Sequence, residues 1–276
     1  METRIHPSAR IVHGAEIGEG VRIGPFCTVG PEVKIGDGAE LISHVVIEGR
    51  TRIGPEARLF PFCTVGMAPQ DLKYKGEPTE TEIGARTMLR EHVTVHRGTV
   101  TGTGLTHVGE DCLLMAVTHV AHDCHVGNGV VIANNSVMGG HVTIGDNAVI
   151  GGAAAIHQFV HIGRAAMVGG MAGVEADVIP FGSVLGNRAR LVGLNIVGLR
   201  RRGYDHAQIH RVRAAFRALF VGEGVFAERL ETVRATFGAD PLVAEMIAFI
   251  DARRTRKPPH QRGLMRSAVE EEGDAG

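Results

Sequence analysis

Aliphatic side chains recur along most of this chain at intervals of six. From Ile5 they fall at Ile11, Ile17, Ile23, Val29, Ile35, Leu41, Ile47, Ile53, Leu59 and Val65. The series resumes at Ile83, Leu89 and Val95 and then slips by one residue. It runs on from Val108 through Leu114, Val120, Val126, Ile132, Met138, Ile144, Ile150, Ile156, Ile162 and Val168 to Val174. Four positions after these 26 anchors stands Ala, Val, Cys, Thr or Ser in 25 cases, Pro69 being the exception. Neither the 3.6-residue period of a helix nor the alternation of a strand gives this spacing. It predicts a parallel β-helix of hexapeptides, one per face of a triangular prism, with about 18 residues per coil. The anchors point to the axis, and coils stack at roughly the 4.8 Å strand spacing.

The pattern breaks twice. Asp71 and Glu77 occupy anchor positions, so "GMAPQDLKYKGEPTETE" has to leave the prism as a loop, and "RGTVTGTGLTH" (97–107) forms a second excursion. Loops on a rigid repeat scaffold are favoured places for function. After Pro180 the period fades. Ile209, Val212, Phe216, Leu219 and Phe220 then fall at helical spacing, predicting a helix over 205–221. Two more are expected over 225–237 and 241–256, with Asp240-Pro241 a helix start. The expected organisation is a β-helix domain over 1–186, a helical domain over 187–266 and a disordered acidic tail over 267–276.

Composition fits a thin, repetitive core. Aromatics are only 4% with no Trp, while glycines number 38, and the prism axis has no room for large rings. The formal charge of −1 offers no field for nucleic acid. No apolar run reaches the length of a membrane span, so no membrane insertion is expected. The four cysteines (Cys27, Cys63, Cys112 and Cys124) all stand four residues after an anchor, as small buried hydrophobes do. With no secretory apolar stretch in "METRIHPSAR", these features point to a cytoplasmic location.

Chemistry concentrates in "HVAHDCHVGNG", 119–129. One coil separates His122 from Gly140 and Gly140 from Gln158, so the three form one column with His141 and His157 beside it. His119 and His125 end their hexapeptides near different corners, so the three histidines do not converge on one ion within a chain. A zinc site shared between chains is the alternative. Asp123 is placed to orient His122 and stabilise its protonated form. No serine stands in the column, so His122 is suited to activating a substrate hydroxyl or amine. The opposing reading is plain polar decoration of a repeat surface.

The stretches "IGPFCTVGP", "QDLKYKGEPT", "VTVHRGT", "HVAHDCHVGN", "AIHQFVHIG", "MVGG" and "GLNIVGLRRRGY" together closely resemble the acyl-ACP–UDP-N-acetylglucosamine O-acyltransferases, which begin lipid A biosynthesis. The likeness runs from Ile5 to about Arg266. It implies left-handed coils, a homotrimer with clefts between neighbouring prisms, and two partners, a 3-hydroxyacyl thioester of acyl carrier protein and UDP-N-acetylglucosamine. It implies His122 as general base, Asp123 orienting it, and the Gly140 N–H as oxyanion donor. Asp71 and Lys73 would contact the nucleotide sugar, with His119, His141 and Gln158 around the glucosamine and phosphates. His157 matches a histidine important for activity. Asn195, Arg201 and Arg202 would hold the nucleotide from a neighbouring chain, arginine suiting a diphosphate. Gly170, the second glycine of "MVGG", stands where a bulky residue closes the acyl groove in members that use short chains, so a longer chain is expected. No cofactor or metal is expected, because a thioester is already activated. One departure is Val197, where well-known members carry an acidic residue.

Rival readings remain. The N-acyltransferases of the same pathway carry an extra domain ahead of the hexapeptides, and a repeat beginning at Ile5 leaves no space for one. An acetyl-CoA-dependent acetyltransferase is opposed by the QDLKY loop. A non-catalytic β-helix would need flat arrays of Thr or Ser, which are absent. A 3-amino analogue of the sugar would put its nucleophile in the same place as the 3-hydroxyl.

Overall fold

The structure, a computed structural model, describes residues 2–256 and 261–268. Most anchors end a two-residue strand, an outward residue followed by the inward one, as in Lys34–Ile35, Val131–Ile132 and His161–Ile162. The strands stack into sheets of 11, 9 and 8, called here faces A, B and C in the order the chain meets them. Register partners stand 18 residues apart, Arg4 beside Arg22 and Glu16 beside Lys34. The chain is a left-handed parallel β-helix.

Its core is the file of anchors along the axis. Val29, Ile47, Leu114, Ile132 and Ile150 are inaccessible to solvent, and burying each such side chain stabilises by about 1.5–3 kcal/mol. The four cysteines fill gaps between anchors and are unpaired. Burial pushes the Cys63 and Cys124 thiols up to about 12, which makes them inert. At the corners the chain turns through left-handed residues, among them Phe26, His44, Asp123, His141 and Phe159 at φ of +53° to +67°.

Both interruptions leave from the corner between faces B and C. The first lies between the strands Thr64–Met67 and Glu80–Ile83, the second between Thr94–His96 and Leu105–Val108. They lengthen their coils, so Arg58 pairs with Met88 and Met88 with Leu113. Both are shorter than the sequence suggests. Thr51, Thr81 and Thr106 form a buried inward column, and a search for aliphatic anchors passes over threonines.

Beyond Pro180 an antiparallel hairpin, Gly182–Leu185 with Arg190–Leu194, extends face A. Four helices follow: α1 (Ile196–Arg201), α2 (His206–Phe220), α3 (Phe226–Phe237) and α4 (Pro241–Thr255). The last three match the periodicity. An Asp205–Gln208 capping box starts α2, and Asp240 caps α4 with Pro241 in its first turn. The short α1 was not expected, and Asn195 caps it. Arg164 joins the prism to α4 through Glu245 at 2.6 Å, and Asp177 pairs with Arg256. The chain then returns to the prism, where Met265 N–H donates to Asp177 O (2.8 Å) and Leu191 N–H to Arg266 O (2.9 Å). Ser267, expected to begin the acidic tail, is buried and bridges Leu191. Residues 269–276 of that tail lie outside the described residues.

The two ends of the stack therefore differ. Hairpin and helices close the late end. At the early end Arg4–Ile5, Arg10–Ile11 and Glu16–Ile17 each have a strand on one side only among the described residues, and Ile5 is 44% exposed. Among the described residues no helix is long and apolar enough to cross a membrane.

Candidate active site

One corner gathers most of the chemistry. Along the edge between faces B and C stand, in order, the 68–79 loop, the 97–104 loop, His122–Asp123, Gly140–His141 and Gln158–Phe159. The repeat imposes this alignment, since each pair is one coil below the last.

At its centre His122 Nδ1 lies 2.8 Å from Asp123 Oδ2. The Asp123 side chain is fully buried. Burial alone would raise its pKa, but hydrogen bonds from His122 and from the Thr99 hydroxyl and N–H outweigh that and hold it at about 2. An ionised carboxylate only accepts, so Nδ1 carries the proton and donates, leaving Nε2 as the basic nitrogen. The His141 ring meets His122 edge-on at 5.0 Å and stacks on Phe159 at 4.6 Å.

Gly140 stands directly under His122. A Cβ there would lie 2.5 Å from His122 Cε1, so only glycine lets the imidazole settle on this turn. The backbone N–H at this turn position is not used by the ladder. Prolines 25, 31, 55 and 61 fill it elsewhere, and at Glu19 and Glu110 it is capped at 2.8 Å by Asp37 and Asn128 of the next coil. Among the described residues nothing accepts from the Gly140 N–H, so it faces the site as an uncommitted donor.

The three histidines of "HVAHDCHVGNG" point in different directions. His119 meets the Thr94 hydroxyl at 2.7 Å and the His96 ring at 4.8 Å, and burial, then the charge of His122, lowers its pKa. His125 stacks on His107 at 4.8 Å and lines a groove of about 610 Å³ on face C with Thr143, His161 and Arg256. Donor atoms of His122, Asp123 and His141 lie within 4.8 Å of one another, near enough to share an ion. Both Asp123 oxygens, however, already accept from the protein, which suits an orienting carboxylate better than a ligand.

Asp71 and Lys73 sit on the loop at this corner, where Asp71 Oδ1 accepts from the Lys73 N–H at 3.0 Å. Arg97 pins that loop by donating to the Tyr74 hydroxyl (2.8 Å) and Gly66 O (3.3 Å). His157 and Gln158 are exposed one coil beyond Gly140, and Arg262 donates to Gln158 O at 3.0 Å.

Four predicted residues lie elsewhere. Asn195 donates to Ala165 O (3.0 Å) and accepts from Gly198 N–H (2.9 Å), while Arg202 donates to Asn147 O (2.7 Å) and Gly198 O (3.0 Å). Both sit at the corner between faces C and A, and Arg201 is exposed beside them. Gly170 occupies the corner between faces A and B. Sequence reasoning missed Thr99, Gly102, Thr103, His96 and Arg97. The TGTG run was the available cue, and nothing in its spacing says that it folds back onto Asp123.

Known proteins match this chain over most of its length. Residues 177–265 match the family model for the second domain of UDP-N-acetylglucosamine O-acyltransferase, and 2–31 and 105–140 match bacterial transferase hexapeptides. The acyl-[acyl-carrier-protein]–UDP-N-acetylglucosamine O-acyltransferase of Azorhizobium caulinodans is 47% identical over 95% of this chain and 97% of its own. The chain belongs to the acyl-ACP–UDP-N-acetylglucosamine O-acyltransferase family. The Caulobacter vibrioides O-acyltransferase is 50% identical over 91% of this chain and 96% of its own. Among solved structures, the O-acyltransferase from Moraxella catarrhalis superposes with a TM-score of 0.89 at 39% identity, covering 95% of this chain and 99% of that one. The acyltransferase from Bacteroides fragilis gives 0.89 at 36%, covering 95% and 100%.

Proposed function

We propose that this chain transfers a 3-hydroxyacyl group from acyl carrier protein to the 3-hydroxyl of UDP-N-acetylglucosamine, the first step of lipid A biosynthesis, with His122 as general base. The observation that carries the role of His122 is its 2.8 Å contact with a buried Asp123, directly over Gly140. Nε2 takes the proton of the sugar hydroxyl as that oxygen attacks the thioester carbonyl. The Gly140 N–H donates to the resulting oxyanion. Collapse breaks the C–S bond, and the imidazolium returns the proton to the departing thiolate. A positioned base is worth about 10²–10⁴-fold and one oxyanion donor about 10²–10³-fold. The thioester needs no further activation, so the scheme calls for no cofactor.

Asp71, Lys73, His119, His141, His157 and Gln158 surround the sugar and its phosphates in this reading. Asn195, Arg201 and Arg202 stand at a different corner of the same prism, so they serve the site of a neighbouring copy in a homotrimer. Asn195 and Arg202 have partners within the chain, which leaves exposed Arg201 to reach the diphosphate. Val197, 58% exposed on α1, brings no charge to the nucleoside. Across face B, exposed Val137, Val117 and Met171 make an apolar path from His122 toward Gly170, suited to the acyl chain. The prism (1–186) carries the chemistry, and the helical region (187–266) completes the neighbouring site. The reaction is set in the cytoplasm.

Purified protein assayed with the sugar nucleotide and its 3-amino analogue, across a ladder of acyl-ACPs, tests the reaction. Activity with the amino analogue alone would replace the acceptor. His122→Ala removes no core contact, so it should fold and lose about 10²–10⁴-fold in kcat. A folded variant keeping more than about a tenth of the activity would dismiss His122 as the base.

A further inference from the structure

The 97–104 loop leaves the same corner as the 68–79 loop one coil earlier, and its donors converge on one side chain. Asp123 Oδ1 accepts the backbone N–H groups of Thr99 (3.0 Å), Thr103 (2.9 Å) and Gly104 (3.1 Å), and the Thr103 hydroxyl at 3.3 Å. Oδ2 accepts the Thr99 hydroxyl at 2.6 Å, His122 Nδ1 at 2.8 Å and the Thr99 N–H at 3.1 Å. Three backbone donors on Oδ1 fix the rotation of the carboxylate, so Oδ2 is held toward His122. The backbone is held too, because the Asp123 N–H donates to the Thr106 hydroxyl at 2.8 Å.

The loop comes this near because of its glycines. A Cβ on Gly102 would lie 2.3 Å from Asp123 Cγ, and one on Gly98 would lie 2.3 Å from Gly104 C. Thr99 stands four residues after Val95, the position that small inward side chains fill in most other coils. Here that side chain is a hydroxyl aimed at a catalytic carboxylate. Its bond is short and charge-assisted, the strong kind. A carboxylate offers about four lone-pair sites, so each donor on Oδ2 competes with the others for the same charge.

We propose that Thr99 is a positioning residue of this site, whose hydroxyl shares Asp123 Oδ2 with His122 and thereby sets how strongly the carboxylate supports a proton on that imidazole. The inference rests on the reading of His122 as general base. Among the described residues the other titratable groups facing His122 are His141 from the next coil, His119 on the strand just before it, and His96 from the coil before. Arg97, the charged side chain of the loop, is engaged by Tyr74. Thr99 therefore acts through Asp123 alone.

The test is the pH profile of kcat/KM with acyl-ACP and UDP-N-acetylglucosamine for wild type, Thr99→Val, Thr99→Ala and Thr99→Ser, each checked for fold by circular dichroism. Without the hydroxyl more of the carboxylate charge falls on the imidazole. The acid limb should then move to higher pH by about half a unit or more, with kcat/KM down about threefold or more on that limb. Serine should restore both. A limb that stays in place in folded Thr99→Val and Thr99→Ala, or a serine variant that behaves like valine, overturns the proposal. An inactive His122→Ala beside an unmoved Thr99 limb refutes this inference alone, whereas an active His122→Ala removes both readings.

Discussion

His96 is buried beside His119, and its Nδ1 finds no partner among the described residues. Burial, then the charges of His119 and His122, lower its pKa to about 4. The folded protein thus keeps this ring neutral while an unfolded chain protonates it near 6.5. Its contribution to stability is whole above the unfolded value and is lost as pH falls from about 6.5 toward 4, by about 3 kcal/mol in all. Denaturant melts at pH 7, 5.5 and 4 should therefore show a steeper loss for wild type than for His96→Leu, and parallel slopes would refute it. Asp123, held at about 2, gives way only in a lower window. The HD pair was readable in the sequence because the two residues are adjacent. The burial of His96 was not, since the repeat marks only the anchors and the small position four residues later as inward, and His96 stands directly after an anchor. Nor were the Asp123 donors, which are mainly backbone groups of a loop.

At the scale of elements, the six-residue period fixed the strands and the 3.6-residue period the three longer helices. The period was silent about α1 and the hairpin, which are too short to display one. Gly170 is where the proposed chain-length specificity would sit at an element's edge. It lies three coils beyond His122, roughly 14 Å along the axis at the strand spacing, on the opposite edge of face B. Its φ is not left-handed, and a Cβ would find Gly152 O at 3.3 Å. A side chain is therefore tolerated after a small shift. Gly170→Met should keep the fold and move the preference toward shorter donors, each lost methylene being worth about 0.8 kcal/mol, or about fourfold. Comparing kcat/KM for long and short acyl-ACPs in both proteins decides it. An unchanged ratio would leave Gly170 a mere corner.

The proposed site residues lie on three corners of the prism, with Arg201 on a different one from His122, and this makes a prediction about assembly. If the cleft is shared, His122→Ala and Arg201→Ala chains are each defective but complementary. Co-refolded in equal amounts they should regain activity, at most about a quarter of the sites being intact under random mixing of a cyclic oligomer. No recovery in mixed, properly assembled protein would place both residues in one chain's site. The spacing of repeats is enough to say which residues share a column. It could not tell which corner the helical region would return to, because that depends on Arg164, Asp177 and their distant partners Glu245 and Arg256.

The bare early end of the prism has a further consequence. Its three edge strands present unpaired backbone groups in the geometry that another coil would complete. The late end is closed by the hairpin and helices, so a second molecule could only pair early end to early end, with no place left for a third. Arg4, Arg10 and Glu16 lead those three strands. Charges at such edges oppose the close approach of a second sheet, and exposed Arg4, Arg10 and Glu16 set that opposition against a pairing of two early ends.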